Sequence, residues 1–372
     1  MAVLLLVTLL LCLVFLVVTL LWRTKKPTQH YPSLERLSNN PILRPLAEHG
    51  WESAAVFNPA AVVDGGRVHL FYRALGGDGV SRIGYASSSD GIHFDERLAE
   101  PVYDQGAGFK PSPPNSGQLY RPLSYDTDQY ASGGGWGGCE DPRAVTIDEH
   151  LYMTFGIFES WESMRLALTS LPLVYLAGKI WQWEPHTVMS PPGETHKNWV
   201  LFPEKIGGKF AILHALTPKI SVEYLDSLDD LRANPIQSNN RRGGREGHWD
   251  SFVRGAAAPP LKTKEGWLLF YHGMDPAHPE IGYKLGAMLL DLNDPSKIVY
   301  RCSAPVLEPR EWYENDWKPG VVYGSGAAIL GKDLFVYYGG GDKYIAAARA
   351  DLNEFLNKLT RHQNATLKSV SR

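Results

Sequence analysis

The sequence predicts an all-β fold, a five-bladed β-propeller preceded by a single N-terminal transmembrane helix. One strand pattern recurs five times, at intervals of roughly 60 to 80 residues, as expected for four-stranded blades that carry long loops. An uninterrupted apolar run precedes the first copy. Of the 372 residues, 44% are hydrophobic and 21% are charged, so the chain can bury a core without disulfides or metals.

The apolar run extends from Ala2 to Trp22. A helix of about 20 residues, rising about 1.5 Å per residue, spans a hydrocarbon core of roughly 30 Å. The run lacks the basic start, short apolar core and small-residue cleavage site of a signal peptide, so we favour an uncleaved anchor at residues 1–26 over a cleaved leader. Positive charges follow the run at residues 23–26, which predicts a single-pass membrane protein whose folded domain faces the cytoplasm.

The recurring pattern is a glycine or acidic turn, an aromatic-rich strand, and a second strand that ends in a polar turn. Its five copies begin at Gly65, Asp148, Gly207, Glu265 and Gly331. They place the propeller at residues 45–358, between a proline-bearing linker at 27–44 and a polar tail at 359–372. A β-sandwich is disfavoured, because it gives no reason for five copies of one pattern.

Charge and cysteine content exclude several classes of partner. The formal net charge is -3, and nucleic-acid-binding domains are usually basic. We therefore predict no nucleic-acid partner. Cys12, Cys139 and Cys302 form no CxxC or Cys/His cluster, so we predict neither a metal site nor a cofactor. The 11 Trp and 18 Tyr residues suit a small ligand, since aromatic rings stack on sugars as readily as they fill a core.

The densest functional signal lies just before the second copy. Two adjacent carboxylates, Glu140 and Asp141, follow a run of glycines and precede Pro142 and Arg143. Glycines let a backbone approach a ligand closely, and Pro142 restricts the residue before it, so we expect Asp141 in an extended conformation. Loops of this composition usually carry function, although a solvated ion pair in a surface turn has the same residues.

Six sequence blocks occur in order, each next to a copy of the repeat. They are Asn58–Ala61 with Phe71–Ala74, Glu140–Arg143, Leu201–Lys205, Trp249–Gly255, Gly266–Trp267 with Tyr271–Gly273, and Tyr337–Asp342. With these blocks the sequence, from about residue 50 to residue 358, resembles glycoside hydrolase family 130. Members of that family are five-bladed propellers that act on β-mannosides as phosphorylases or as mannosidases.

The resemblance implies an inverting phosphorylase that cleaves or synthesises β-linked mannosides with inorganic phosphate and yields mannose 1-phosphate. Asp141 would be the general acid and protonate the glycosidic oxygen through the sugar 3-hydroxyl, while phosphate attacks the opposite face. The implied phosphate ligands are Arg165, Lys197, Arg143 and His272. The implied contacts to the sugars are Asn58, Arg73, Glu140, Trp249, Asp250, Arg254 and Asp342.

Two alternatives to phosphorolysis stay open. The first is a β-mannosidase that uses water, with a glutamate such as Glu204 or Glu246 as base. The second is a membrane-tethered glycan-binding propeller without catalysis, which Asp141 and the implied cations argue against. Five-bladed furanosidases and fructosidases are disfavoured, because the first repeat lacks their Asn-Asp-Pro-Asn-Gly block. The expected partners are a β-mannosidic oligosaccharide, inorganic phosphate and the membrane, and the linkage and the oligomeric state stay open.

Overall fold

The computed structural model describes residues 31–104, 137–158, 163–239, 243–278 and 282–361. Over these residues the chain consists mainly of antiparallel strands, which agrees with the predicted all-β class. The strands of this part of the chain form four hydrogen-bonded sheets, none of which closes on itself. The predicted fold therefore needs correction in its sheet organisation and in its N-terminal helix.

The first strand, β1 (Glu35–Arg36), pairs with the last strand of the chain. The largest sheet contains β2 (Ala55–Asp64), β3 (Arg67–Leu75), β4 (Val80–Ser88), β5 (Glu96–Arg97), β6 (Gly137–Ile147), β7 (His150–Phe158), β8 (Met164–Pro172) and β9 (Thr187–Val188). Its strands are antiparallel except β4 and β6, which pair in parallel through Val80 with Gly137 and Ser81 with Gly138. The first two copies of the repeat predict separate blades, one containing β3 and β4 and the other containing β7 and β8. The parallel pair joins these two groups of strands into one sheet.

Three smaller sheets follow in chain order. They contain β10 (Val200–Leu201), β11 (Phe210–Ala215) and β12 (Ser221–Leu225), then β13 (Phe252–Ala256), β14 (Leu261–Thr263), β15 (Gly266–Met274), β16 (Lys284–Leu290) and β17 (Ile298–Arg301), and then β18 (Val322–Leu330), β19 (Asp333–Gly340) and β20 (Tyr344–Asp351). All their pairings are antiparallel. β1 completes the last sheet by pairing with β20.

The folded region extends beyond its predicted bounds at both ends. Leu34, Leu37 and Leu43 fall in the predicted linker at residues 27–44, yet all three are buried in the core. At the other end, the predicted polar tail at 359–372 begins with Leu359, which is also buried. Burying apolar side chains against the sheets lowers the free energy of the folded state. The backbone on either side of these residues is therefore part of the folded domain.

The described residues contain two α-helices, α1 (Leu173–Gly178) and α2 (Leu352–Arg361). At about 1.5 Å per residue, even the longer one spans only about 15 Å, half of a hydrocarbon core. No helix in the described ranges is long and apolar enough to cross a membrane. The predicted transmembrane helix, the single-pass membrane localisation and the membrane as a partner are therefore wrong for these ranges, and the predicted anchor at residues 1–26 lies outside them.

β-Bulges in four of the strands position the candidate site. They lie between Phe57 and Ala60 in β2, Glu140 and Arg143 in β6, Val253 and Gly255 in β13, and Gly324 and Gly326 in β18. A bulge leaves a residue outside the ladder and redirects its side chain. β2 and β18 lie so close together that a Cβ atom on Gly326 would sit 2.6 Å from the carbonyl oxygen of Pro59. The bulged residues of neighbouring strands therefore share one region.

Candidate active site

Asp141 lies at the bulge of β6 with a left-handed backbone, at φ 49°. The predicted extended conformation is wrong, because a following proline disfavours the right-handed helical region, and aspartate tolerates the left-handed one. Its Oδ1 atom accepts hydrogen bonds from Asn58 Nδ2 at 2.8 Å and from Arg73 Nη1 at 3.2 Å. Asn58 is itself left-handed, at φ 48°, in the bulge of β2. Two unusual backbone conformations thus bring an amide and a carboxylate together.

Arg73 connects Asp141 to its neighbour Glu140. The Arg73 side chain is fully buried and donates from Nη2 to Glu140 Oε1 at 3.0 Å and from Nε to Ser81 Oγ at 3.0 Å. Its guanidinium also stacks over the Phe57 ring at 4.7 Å. The charge of Glu140 is therefore matched by Arg73, and the two carboxylates are not an equivalent acid and base pair.

Lys197 and Arg254 add positive charge near these carboxylates. The Nζ atom of Lys197 lies 3.7 Å from Glu140 Oε2, and its side chain is 12% exposed. Arg254 sits at the bulge of β13, is half-buried, and has no carboxylate or hydrogen-bond partner among the described residues. The pKa of Lys197 is lowered to about 8, chiefly by burial and also by the charge of Arg254, against the opposing effects of Glu140 and Asp141. This cluster is suited to an anionic ligand.

The same cations determine the charge of Asp141. Burial opposes ionisation of this carboxyl group, but the positive charges of Arg73, Lys197 and Arg143 outweigh it and hold the pKa of Asp141 well below its ordinary value. Asp141 is therefore a carboxylate at neutral pH when no ligand is bound. A group in this state accepts protons and hydrogen bonds, and it can act as an acid only after its surroundings change.

Arg143 is buried and directs its guanidinium at protein groups. Nη1 donates to the backbone oxygen of Asp141 at 2.6 Å, Nε donates to the Ala257 carbonyl at 2.5 Å, and Nη2 donates to Asn198 Oδ1 at 3.2 Å. The Asn198 oxygen accepts a second hydrogen bond from the Tyr323 hydroxyl at 2.8 Å. These contacts tie β6, β13 and β18 together beneath Asp141 and fix the backbone turn that carries its carboxylate.

His272 packs face to face on Tyr323, with ring centroids 3.7 Å apart and an interplanar angle of 13°. Burial, with the charge of Arg143 as the next cause, lowers the pKa of His272 to about 3. The ring is therefore neutral at physiological pH, and its Nε2–H donates to the Gly324 carbonyl at 2.8 Å. Only Nδ1 is left as a free acceptor site, and it has no partner in the described chain. His272 can accept a hydrogen bond from a ligand but cannot contribute positive charge.

The other predicted site residues are placed more variably. Arg165, in β8, donates from Nε and Nη2 to the Ser190 carbonyl at 3.0 and 2.7 Å. Asp342 has a left-handed backbone at φ 53° and pairs with Lys318 Nζ at 2.8 Å, and Arg73 feels its charge. Asp342 thus lies in the same electrostatic environment as Asp141. Arg165 instead hydrogen-bonds to the backbone next to β8, the third strand of the group β6, β7 and β8.

Asp250 and Trp249 belong to a different network. Asp250 is fully buried and accepts hydrogen bonds from Arg301 Nη2 at 2.6 Å, Tyr271 OH at 2.7 Å and Arg245 Nε at 2.8 Å. Trp249 stacks on Tyr271 at 5.9 Å and donates its indole N–H to the backbone. Their predicted contact with substrate is not what the geometry favours, because the carboxylate of Asp250 is already satisfied by three donors.

Sequence reasoning missed three residues that the structure places at the site, Asn198, Tyr323 and Lys318. Asn198 directly follows the predicted ligand Lys197 and has a left-handed backbone at φ 65°, and its Nδ2 group is buried without a partner in the described ranges. Tyr323 precedes the Gly324-Ser325-Gly326 bulge, which is a signal that the sequence offers. Nothing in the sequence around Lys318 distinguishes it from a surface lysine.

A family model described as β-1,4-mannooligosaccharide phosphorylase, glycoside hydrolase family 130, matches residues 130–361. The chain belongs to glycoside hydrolase family 130. A 1,2-β-oligomannan phosphorylase from Thermoanaerobacter sp. (strain X514) is 37% identical over 337 residues, which cover 86% of this chain and 98% of that protein. This family membership agrees with the resemblance seen in the sequence.

Two further relatives extend the comparison. A β-1,2-mannobiose phosphorylase from the same Thermoanaerobacter strain is 36% identical over 331 residues, covering 85% of this chain and 96% of that protein. The solved structure of a β-1,2-mannobiose phosphorylase from Listeria innocua in complex with β-1,2-mannobiose aligns with a TM-score of 0.64 at 24% identity, covering 88% of this chain and 99% of that one. The structural likeness concerns the fold alone.

Proposed function

We propose that this family 130 protein is an inverting β-mannoside phosphorylase that transfers a mannosyl group between a β-mannoside and inorganic phosphate. The products of cleavage are mannose 1-phosphate and the shortened sugar, and the same site can run the reaction in reverse. The observation that carries the proposal is the association of one carboxylate, Asp141, with a cation cluster that includes Arg254, whose guanidinium has no carboxylate partner among the described residues. A phosphate nucleophile needs such cations and no second carboxylate.

We propose Lys197 and Arg254 as the principal phosphate ligands. Lys197 lies near Glu140 and Asp141, and Arg254 lies close enough to Lys197 to lower its pKa. Arg254 has no carboxylate that competes with a ligand among the described residues. Asn198 offers a neutral donor, since its Oδ1 is held by Arg143 and Tyr323 and its Nδ2 has no partner in the same ranges. Arg165 is not proposed as a principal ligand, because its Nε and Nη2 atoms already donate to the Ser190 carbonyl. Arg143 is better suited to hold the turn at Asp141 than to bind phosphate.

Phosphate also supplies the missing condition for acid catalysis. Lys197, one of the two cations proposed to bind it, is also one of the three that keep Asp141 ionised. A bound dianion offsets their charge and makes protonation of the neighbouring carboxylate easier. Asp141 then holds the proton that the departing sugar oxygen requires, by way of the sugar 3-hydroxyl as the family resemblance implies. The nucleophile and the acid are prepared by one binding event.

Hydrolysis by a second carboxylate is disfavoured by the position of its candidates. Glu204 pairs with Lys262 at 2.6 Å, and the adjacent Lys205 pairs with Asp148, which follows the far end of β6 from Asp141. Seven residues at about 3.3 Å each place Asp148 roughly 20 Å from Asp141, and Glu204 lies on the Asp148 side. The acid and the base of an inverting glycosidase lie only about 6.5 to 9.5 Å apart, so Glu204 is too far from Asp141 to be the base. Glu246 is exposed and has no described contact with the site residues.

We propose a β-1,2 linkage for the substrate. Two of the relatives at 36% and 37% identity are named for β-1,2-linked mannosides, whereas a β-1,4-mannooligosaccharide phosphorylase from Ruminococcus albus is 24% identical. No cofactor other than the phosphate co-substrate enters the scheme. In the described ranges no group of three or more histidine, cysteine or acidic side chains could hold a metal ion.

The deciding experiment measures sugar release with and without phosphate. Purified protein is incubated with β-1,2-mannobiose in buffer containing phosphate, in buffer containing sulfate at equal ionic strength, and in buffer with neither. We expect mannose 1-phosphate and mannose in equal amounts only with phosphate. Equal release of free mannose in all three buffers would establish the mannosidase instead. Binding of the disaccharide without turnover in any buffer would establish the non-catalytic alternative.

A further inference from the structure

One tryptophan stands out from the candidate site by its exposure. Trp312 is 53% exposed, the largest exposure of any tryptophan in the described ranges. Its ring is held from two sides, by the Arg44 guanidinium 5.2 Å from its centroid and by the Tyr344 ring at 5.4 Å and 71°. A large aromatic surface in water is unfavourable, and side chains that hold it rigid favour contact with a ligand.

The chain connects this surface directly to the candidate site. Trp312 begins a segment that ends at Gly320, and the same segment supplies Lys318, whose Nζ pairs with Asp342 at 2.8 Å. Tyr344 lies two residues after Asp342 and opens β20. Two residues span at most about 7 Å of backbone, so Trp312 and Tyr344 flank the turn that carries Asp342. One wall of the site thus has a buried charged end and an exposed aromatic end.

We propose that Trp312, braced by Arg44 and Tyr344, is a binding subsite for a mannosyl unit of an oligosaccharide chain that extends out of the site beyond the bond being cleaved. This inference rests on the proposed phosphorylase function. A pyranose presents a face of C–H groups that packs on an indole, while its hydroxyls stay in water or reach polar neighbours. Asp316 is an exposed polar residue of the same segment, held by Tyr344 and Lys343 through one carboxylate oxygen, and its carboxylate provides such a neighbour.

A subsite outside the reaction centre changes the preference for chain length and leaves the chemistry alone. A β-mannobiose is too short to occupy it, so loss of the ring affects longer substrates only. Trp312→Ala is therefore expected to lower kcat/KM for a β-1,2-mannotetraose by about fivefold, the effect of about 1 kcal/mol of stacking, with kcat/KM for β-1,2-mannobiose unchanged. Trp312→Phe retains a smaller ring and is expected to lie between.

The test compares kcat/KM for the tetraose and the disaccharide in wild type, Trp312→Ala, Trp312→Phe and Arg44→Ala. Val299→Ala, which removes an exposed apolar side chain from β17, is the matched control and is expected to match wild type on both substrates. A selective loss on the tetraose that follows the order Ala, Phe, wild type supports the subsite. An equal loss on both substrates, or no loss, overturns it while phosphorolysis stands. Absence of phosphorolysis by wild type on either substrate refutes the proposed function itself.

The oligomeric state of each variant is measured in the same preparations. An exposed aromatic surface can also be covered by a second copy of the chain. If Trp312→Ala converts an oligomer to a monomer and the substrate preference is unchanged, the ring belongs to a subunit interface and the subsite is overturned. An unchanged oligomeric state together with the selective loss on the tetraose leaves sugar binding as the role of the ring.

Discussion

Arg73 Nη1 lies 3.2 Å from Asp141 Oδ1, and Nη2 of the same guanidinium lies 3.0 Å from Glu140 Oε1. One buried cation thus holds both carboxylates of the motif, but the two are not equivalent. The Glu140 side chain is fully buried, whereas 12% of the Asp141 side chain is exposed. This difference favours Asp141 over Glu140 as the proposed acid, because a substrate can reach only the partly exposed carboxylate.

Replacing Asp141 tests the acid directly. Asp141→Asn keeps the shape of the side chain and tolerates the left-handed backbone, so we expect a folded protein whose kcat falls about 100-fold to 10,000-fold. Asp148→Asn is the matched control, because Asp148 is also left-handed, at φ 53°, and lies on the surface after the same strand. Wild-type kcat in Asp141→Asn, with both proteins unfolding at the wild-type temperature, would remove Asp141 from the mechanism.

Arg254 is expected to act on phosphate more than on sugar. Arg254→Ala removes a cation without stranding a carboxylate in the described chain, so the KM for phosphate should rise tenfold or more, as loss of about 1.4 kcal/mol of binding predicts. The KM for β-mannobiose should change much less. Arg232→Ala, which removes a surface arginine 63% exposed, serves as the control. A larger rise in the KM for sugar than in the KM for phosphate would show that Arg254 contacts the sugar, as the family resemblance implies.

Lys197 predicts a pH dependence of phosphate use. Burial lowers its pKa to about 8, below the ordinary 10.5, and only the charged form attracts the dianion. Raising the pH through about 8 should therefore lower kcat/KM for phosphate. Lys197→Arg stays charged throughout this range. The ratio of wild-type to variant kcat/KM should fall above pH 8, and a ratio independent of pH would show that Lys197 is not the titrating group.

Coupling between phosphate and Asp141 predicts a difference in proton exchange. Phosphate binding should make Asp141 take up a proton, since the anion offsets Arg73, Lys197 and Arg143. Titration calorimetry near pH 6 in buffers of different ionisation enthalpy counts the protons exchanged. Wild type should take up more protons than Asp141→Asn, by up to one for each phosphate bound. Other groups in this field are common to both proteins, namely Glu140, Arg254, His272, Tyr323 and Asp342. The same proton count in both proteins contradicts the coupling.

Asp250 should matter for stability more than for binding. Asp250→Asn leaves the buried guanidinium of Arg301 and the partly buried one of Arg245 without their carboxylate, which should lower the free energy of unfolding by about 3 to 5 kcal/mol. Urea denaturation measures this loss. Asp226→Asn, at an exposed ion pair, is the control and should change it by less than about 1 kcal/mol. Intact stability with a raised KM for sugar would return Asp250 to the substrate site.

The sequence predicted the parts of the site that share a local pattern. Asn58 and Asp141 each precede a proline in a short motif, and both motifs form bulges that turn their side chains to the same place. In the block from Trp249 to Gly255, sequence proximity was misleading. Asp250 enters the core of its sheet, whereas the bulge of β13 directs Arg254 elsewhere. Which way each side chain points depends on the register of the strands, and the neighbouring residues in the sequence do not specify that register.

The fold was predictable to a similar extent. The recurring strand pattern marked the antiparallel groups correctly, because each copy carries its own turn and its own alternation of apolar residues. It gave no sign of the parallel pairing between β4 and β6, which involves only Val80 and Ser81 on one strand and two glycines on the other. Lys318 was missed for a related reason, since only its tertiary contact with Asp342 distinguishes it from a surface lysine.

The pairing of β1 with β20 affects how the enzyme matures. Strand β1 leaves the ribosome long before β20, so the last sheet cannot be completed until nearly the whole described chain has been synthesised. Asp342 lies in the turn between the two final strands of that sheet. During translation, the sheets that hold Asp141 and Arg254 can form before Asp342 has been added. The turn that carries Asp342 is therefore the last part of this region to be placed, after the strands that carry Asp141 and Arg254.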